Sequence, residues 1–171
     1  AALHRLLHVD DAGAHVGEVR IVQQVDPSLN PRSFRLGSLK VGEVTVNIPS
    51  GRANFQGDVD LRRSKGFILR VSAGIDASTS TASWVLQAID PETGEVLQDT
   101  TKGLLAPNNQ QGRGAGFVSY TVAARFDGAT GEDIRASARV IFNTAAPMDT
   151  PEIVQTLDGA APTTTVSIRQ L

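Results

Sequence analysis

The sequence contains no cysteine. That excludes a disulfide framework and a cysteine-ligated zinc site, although it does not fix the compartment. Aromatic residues are scarce, at 5% of the chain, with one tryptophan and one tyrosine. A core of this size must therefore rest on Val, Ile, Leu and Ala. No apolar run approaches the ~20 residues that a membrane-spanning helix needs, so no membrane span is expected, and no signal peptide opens the sequence. Charge of either sign is also without excess: the formal net charge is -2. Nucleic acid and anionic membranes select strongly basic surfaces, so neither is an expected partner.

What is present is alternation. Val19, Ile21, Gln23 and Val25 form one period-two series, and Val44, Val46 and Ile48 another. Phe67, Leu69, Val71, Ala73 and Ile75 follow, then Trp84, Leu86 and Ala88, then Val118, Tyr120 and Val122. Ile134, Ala136, Ala138, Val140 and Phe142 complete the set. Alternation of this kind turns one face of a strand to a core and the other to water. Turn residues separate the runs at Pro27, at Pro49-Ser50-Gly51, at Asp90-Pro91-Glu92-Thr93-Gly94 and at Asp127-Gly128. Pro91 presets a type I turn and Gly94 supplies the left-handed position after it, which predicts a hairpin with strands at 81–89 and 95–97. Many short strands with regular turns indicate an all-β, immunoglobulin-like β-sandwich with Greek-key connections and roughly eight strands.

The two ends depart from this pattern. Leu3, Leu6 and Leu7 have helical spacing, so residues 1–16 are expected to be an irregular N-terminal segment in place of a proper first strand. The sandwich is expected over 17–158. Residues 159–171 read as a linker (Asp158-Gly159-Ala160-Ala161-Pro162 marks it) and an extra strand toward a neighbouring domain or a partner subunit. The stretch 103–116, with Pro107, Asn108, Asn109 and spaced glycines, reads as a long loop, most simply a solvated crossover between sheets.

Several stretches carry a resemblance: VRIVQQVDPSLNPRSFRLGSL, VNIPSGRANFQGDVDLRRSKGFILRVSAGID, WVLQAIDPETGEVL, GLLAPNNQQGRGAGFVSYTV and ARVIFNTAAPMDTPEIVQTLDGAAPTT. Over 17–164 the sequence resembles an extracellular repeat module of large multidomain bacterial surface proteins, similar to immunoglobulin-like conserved-repeat domains. The resemblance implies a secreted or cell-surface setting beside immunoglobulin-like, cadherin-like or calcium-binding neighbours. It implies no catalytic residues. Such modules open with a strand of the form L-x-Y-x-I-x-F-x-N. Here Leu3-His4-Arg5-Leu6-Leu7-His8-Val9-Asp10 stands in its place without the aromatics. A sheet lacking that strand would have an open edge, which invites pairing with another chain.

Candidate chemistry is thin. His4, His8 and His15 are the three histidines, and His4 and His8 could share a helix face, but solvated terminal histidines explain them as well. Asp58 with Asp60, and Asp90 with Glu92, place carboxylates where calcium could be held; neither pair completes a calcium loop, and turn hydrogen bonding also selects such residues. Asp127, Glu132 and Asp133 crowd another turn. Gly112-Arg113-Gly114-Ala115-Gly116 precedes a strand, where a phosphate-binding loop would open a helix. Arg62, Arg63 and Lys65 form a short basic run, a solvated turn or a contact for an acidic polysaccharide. No nucleophile elbow appears, and Trp84 and Tyr120 alternate with aliphatics as core residues do.

The reading is a non-catalytic structural or adhesive module of a secreted or cell-surface bacterial protein. No cofactor is required, calcium apart. Its expected partners are neighbouring domains or identical subunits, with assembly head to tail by strand addition through Thr163, Thr164, Thr165, Val166, Ser167 and Ile168. The alternative is a carbohydrate-binding module for a surface polysaccharide.

Overall fold

The structure, a computed structural model, describes residues 2–9 as backbone and residues 15–99, 101–107, 110, 114–125 and 130–157 with their side chains. The segment Thr163–Ile168, the side chains of His4 and His8, and the Asp127-Gly128 turn lie outside the described residues.

Among those residues the chain forms an immunoglobulin-like antiparallel β-sandwich. The strands are β1 (Ala2–Val9), β2 (Glu18–Gln24), β3 (Leu29–Val41), β4 (Val44–Val46), β5 (Asn54–Leu61), β6 (Phe67–Asp76), β7 (Thr81–Ile89), β8 (Gly116–Ala124), β9 (Asp133–Ala136), β10 (Arg139–Phe142), β11 (Met148–Asp149) and β12 (Ile153–Thr156), with one helical turn, α1 (Arg62–Lys65). One sheet runs β1-β8-β3-β4 and the other β11-β10-β2-β7-β6-β5, while β12 and β9 form a two-stranded extension. Strands β5, β6 and β7 are joined by successive hairpins, and β2 lies beside β7 rather than beside β5. That is the Greek-key return the sequence predicted. No described helix is long and apolar enough to cross a membrane.

The alternation predicts burial accurately. Val19, Ile21, Gln23 and Val25 are all buried, as are Phe67, Leu69, Val71 and Ala73, then Trp84, Leu86 and Ala88, and Val118, Tyr120 and Val122. At the centre three aromatic rings join the sheets. Phe34 of β3 stacks on Tyr120 of β8 at 4.9 Å between centroids, and both meet Trp84 of the opposing β7, at 6.1 and 5.8 Å. Tilted and offset rings of this kind add about 0.5–1.5 kcal/mol per pair beyond the area they bury. The aliphatic side chains pack outward from this trio into one core.

The Asp90–Gly94 turn forms as its residues require. The Gly94 amide donates to Asp90 O at 2.8 Å and the Asp90 amide to Glu95 O at 2.8 Å. Gly94 sits at φ 74, the left-handed region where a side chain would be strained. Beyond it the expected strand at 95–97 shortens to a single bridge, Ile89 to Val96.

Two expectations are corrected. First, the helical spacing of Leu3, Leu6 and Leu7 does not make a helix: residues 2–9 pair with β8 along its whole length, from Ala2 opposite Ala123 to Val9 opposite Gly116. An isolated eight-residue helix is marginal in water, whereas β8 offers a full row of unpaired backbone groups. β8 is thereby covered, and β1 becomes the outer strand of that sheet. Second, the described chain has twelve strands, not eight. The longest, β3, escaped because register shifts between Asn30 and Arg35 and between Leu36 and Leu39 break its period. The basic run Arg62, Arg63 and Lys65 forms a helical turn with no buried residue, closed by Gly66 in the left-handed conformation, as a solvated turn would be.

Two substitutions probe the core. Trp84→Ala removes the ring shared by both sheets and is expected to cost about 3–5 kcal/mol. Gln23 is 2% exposed and its Oε1 has no hydrogen-bond partner. Gln23→Leu is therefore expected to stabilise the fold, by about 1 kcal/mol. Urea unfolding measures both, and a loss of stability in Gln23→Leu would show that its amide is satisfied in solution.

Candidate functional site

The register of the six-stranded sheet sets out its outer face in rows. One row crosses every strand: Asn54, Gly74, Ser83, Val22, Arg139 and Asp149 stand opposite one another in turn. At its β5–β6–β7 end this row has small side chains, so it lies below its neighbours. On one side stands the row Gln56, Ser72, Val85, Arg20, Ile141; on the other stand Asp76, Thr81 and Gln24. The result is a shallow groove of about 490 Å³, lined by Asn54, Ser72, Gly74, Asp76, Thr79, Thr81 and Ser83 among others. Six strands at ~4.8 Å spacing make the whole row about 24 Å wide.

Gly74 makes the floor. A Cβ there would come within 2.0 Å of Asn54 Oδ1, so the Asn54 amide lies across the space where a side chain would be. The walls are fixed by local bonds. Asp76 Oδ1 accepts from the Ser78 amide at 2.8 Å and from Ser78 Oγ at 2.6 Å, which shapes the β6–β7 turn. Thr81 Oγ1 donates to Gln24 Oε1 at 3.2 Å, and Gln24 Nε2 reaches Thr79 O at 2.8 Å. The groove thus presents hydroxyls that donate and accept, one amide that does both, and one carboxylate that accepts. Its chemistry is hydrogen bonding.

A second polar row runs four residues further along the strands: Asp58, Arg70, Gln87 and Glu18. Arg70 grips Asp58 through two bonds of 3.0 Å each, while Gln87 and Arg20 both donate to Glu18.

A smaller cleft, about 230 Å³, lies at one end of the sandwich where separate loops meet. His15, Glu43, Lys65, Thr101 and Lys102 supply its polar lining, and Phe67, Leu104 and Ala106 its apolar lining. Lys65 Nζ is 3.1 Å from Glu43 and Lys102 Nζ is 3.9 Å from Asp99, so both ammonium groups already face a carboxylate. The stretch 103–116 contributes more than a solvated crossover: Leu104 and Leu105 are buried, and Leu105 bridges to Val16.

The residues proposed for calcium are not gathered. Asp58 and Asp60 lie on β5, a strand rather than a loop, and Asp90 and Glu92 lie in the turn after β7. The β5 carboxylates are occupied, Asp58 by Arg70 and Asp60 by Arg62, whose guanidinium makes bonds of 2.9 and 2.7 Å. Asp90 Oδ1 accepts the Glu92 amide at 2.8 Å as a turn residue does. Calcium on β5 would have to displace both arginines. Among the described residues no group of three or more His, Asp or Glu is placed to hold a metal. The groove itself was not anticipated from the sequence. Its one sequence signal is Gly74 within a run of alternating residues, a mark of close approach in a strand.

No family model and no curated protein matches the chain. Among solved structures it is similar to a collagen-binding domain from a Staphylococcus aureus adhesin, with 10% identity, a TM-score of 0.42, and 92% of this chain and 88% of that one covered. It is similar also to ACE19, the collagen-binding subdomain of the Enterococcus faecalis surface protein ACE, with 13% identity, a TM-score of 0.40, and 92% and 88% covered. A third likeness, with 11% identity, a TM-score of 0.36, and 95% and 83% covered, is to AvmM, which catalyses macrocyclization in alchivemycin A biosynthesis. Likenesses at this level decide neither partner nor activity.

The acids of this surface share a direction. A side-chain hydrogen bond from Arg70 lowers Asp58, and bonds from Arg62 bring Asp60 to about 2. Bonds from Ser78, Thr101 and Arg139 lower Asp76, Asp99 and Asp149. Burial acts to raise Glu18, but its bonds from Gln87 and Arg20 outweigh this and leave it lowered. Each group therefore holds its proton less tightly in the folded chain than in the unfolded one. The stability they add is present above the ordinary carboxylate range and is lost as the pH falls through the folded values. The thermal midpoint is expected to fall steadily from about pH 5 to about pH 2, by a modest amount since the pairs are largely exposed, and less steeply in Arg70→Gln. Melting followed by circular dichroism across that range checks it; a flat profile in the native chain would contradict it.

Proposed function

We propose that this chain is a non-catalytic adhesive module of a bacterial cell-surface protein, and that it holds an extended polymer along the groove on the outer face of its six-stranded sheet. The observation that carries this reading is the row Asn54–Gly74–Ser83–Val22–Arg139–Asp149, aligned across every strand and lowered at one end by its small side chains. An open groove with both donors and acceptors suits a ligand that presents repeated backbone amides or hydroxyls. It does not enclose a small molecule, as pockets for drug-sized ligands do. An extended polypeptide fits best, because its own donors and acceptors alternate along its length. Repetition of the module head to tail would multiply weak contacts into useful avidity.

The second reading is a carbohydrate-binding module, favoured by the hydroxyls of Ser72, Ser83, Thr79 and Thr81. The aromatic residues weigh against it: Trp84, Tyr120 and Phe34 are at most 1% exposed. None of them is free to stack on a sugar ring.

Ser83→Trp places a large ring on the groove floor at an outward-facing strand position that suits aromatics. It is expected to reduce binding to an immobilised extended polypeptide by tenfold or more while leaving the melting temperature within a few degrees of the native chain's. Surface plasmon resonance against collagen, other fibrous polypeptides and a set of bacterial polysaccharides decides between the readings. Retention on a polysaccharide alone, abolished by Ser83→Trp, would replace the polypeptide reading with the carbohydrate one. Binding unaffected by Ser83→Trp would remove the groove from both.

A further inference from the structure

With β1 paired to β8, a donated strand has two long outer strands to choose from, β1 in the first sheet and β5 in the second. We propose that the free edge of β5 accepts the segment 163–168 of a second copy of this chain, making a head-to-tail assembly. This inference is independent of the groove and would survive the loss of the adhesive reading.

β5 is the outermost strand of the six-stranded sheet and runs for eight residues without a proline. The other edge of that sheet is short and guarded. β11 has two residues, Pro147 and Pro151 flank it, and the ion pair Arg139–Asp149 ties it to β10. Proline and cross-strand charge are the usual means of protecting an edge. β5 carries a pair of the same kind on its outer face, Asp58–Arg70, but its eight residues include no proline and its inner side holds no charge. Phe55, Val59 and Leu61 there are only partly buried, as is Val44 on the facing sheet's edge strand β4. A strand added to β5 would pair its backbone and cover this apolar margin.

The segment 163–168 has the matching pattern. Val166 and Ile168 fall on one face, and Thr163, Thr165 and Ser167 on the other. With the apolar pair over Val59, the polar face continues the outer row of Asn54, Gln56, Asp58 and Asp60. Geometry selects a second copy over the same chain. The path to the segment starts after β12, on the β10–β11 side of the sheet, while β5 is at the opposite edge, about 24 Å away at ~4.8 Å per strand. The six steps from Leu157 to Thr163 span at most about 22 Å even when fully extended. A contact from the tail of one copy to the edge of the next is heterologous, so it adds copies in sequence, as a filament or, where the rotation closes, a ring.

The test uses the full chain with two complementary lesions. Val59→Lys places a charge on the margin and disables the acceptor; the double substitution Val166→Asp and Ile168→Asp disables the donor. Light scattering after size exclusion, over rising concentration, should show the native chain growing beyond a monomer and each variant remaining monomeric. An equimolar mixture should form a one-to-one dimer and stop there, because it contains only one competent junction. A synthetic peptide of residues 160–171 should disperse the native assembly, a readout that does not depend on how Val59→Lys folds. A native chain that stays monomeric at millimolar concentration, assembly unchanged in the donor variant, or a peptide without effect would each overturn the proposal.

Discussion

The contact between Trp84 and the stacked pair Phe34–Tyr120 is the constraint on which the rest of this structure depends. The chain has no disulfide to hold its sheets together. What joins them is a core whose three large rings come from both layers, surrounded by small aliphatic side chains. Because the aromatic residues are so few, committing these to the interior leaves the outer face of the six-stranded sheet without one among the described residues. The core thus decides the chemistry of the surface: hydroxyls, amides and paired charges.

Register carries that decision outward. Side chains alternate strictly along a strand, so the pairing that buries Ala73 opposite Trp84 also sets Gly74 opposite Ser83 on the outside. A slip of one residue would turn the apolar set to water and dissolve the groove in the same step. The groove is therefore not a separate device laid on the fold. It is the outer consequence of how the core is packed, deepened where glycine and serine fall in one row. The ion pairs beside it, Asp58 with Arg70 and Asp60 with Arg62, fix side chains in place and contribute little to stability, since both partners remain about half exposed.

The edges follow a similar logic. β1 supplies backbone partners to β8, and the prolines near β11 blunt the far side of the larger sheet. Among the edge strands whose side chains are described, β5 combines length with an apolar inner margin that the opposite layer covers only in part. Acidic residues that read from sequence as loop ligands prove to be the outer face of this strand, where arginine neighbours occupy their oxygens.

The sequence by itself determined the fold class and the inward face of most strands, because burial on a sheet requires a two-residue period and the chain displays one in each of the runs named above. It determined the Asp90–Gly94 turn for an equally local reason, a left-handed position that favours glycine. It did not reveal β3, whose bulges interrupt the period, nor β1, whose leucines have helical spacing and become a strand only because β8 offers them partners. The groove lay beyond it altogether. Asn54, Gly74 and Ser83 belong to three different strands, and nothing local says they stand in one row. Only the tertiary pairing decides that, since register is a relation between strands that no single stretch of sequence contains.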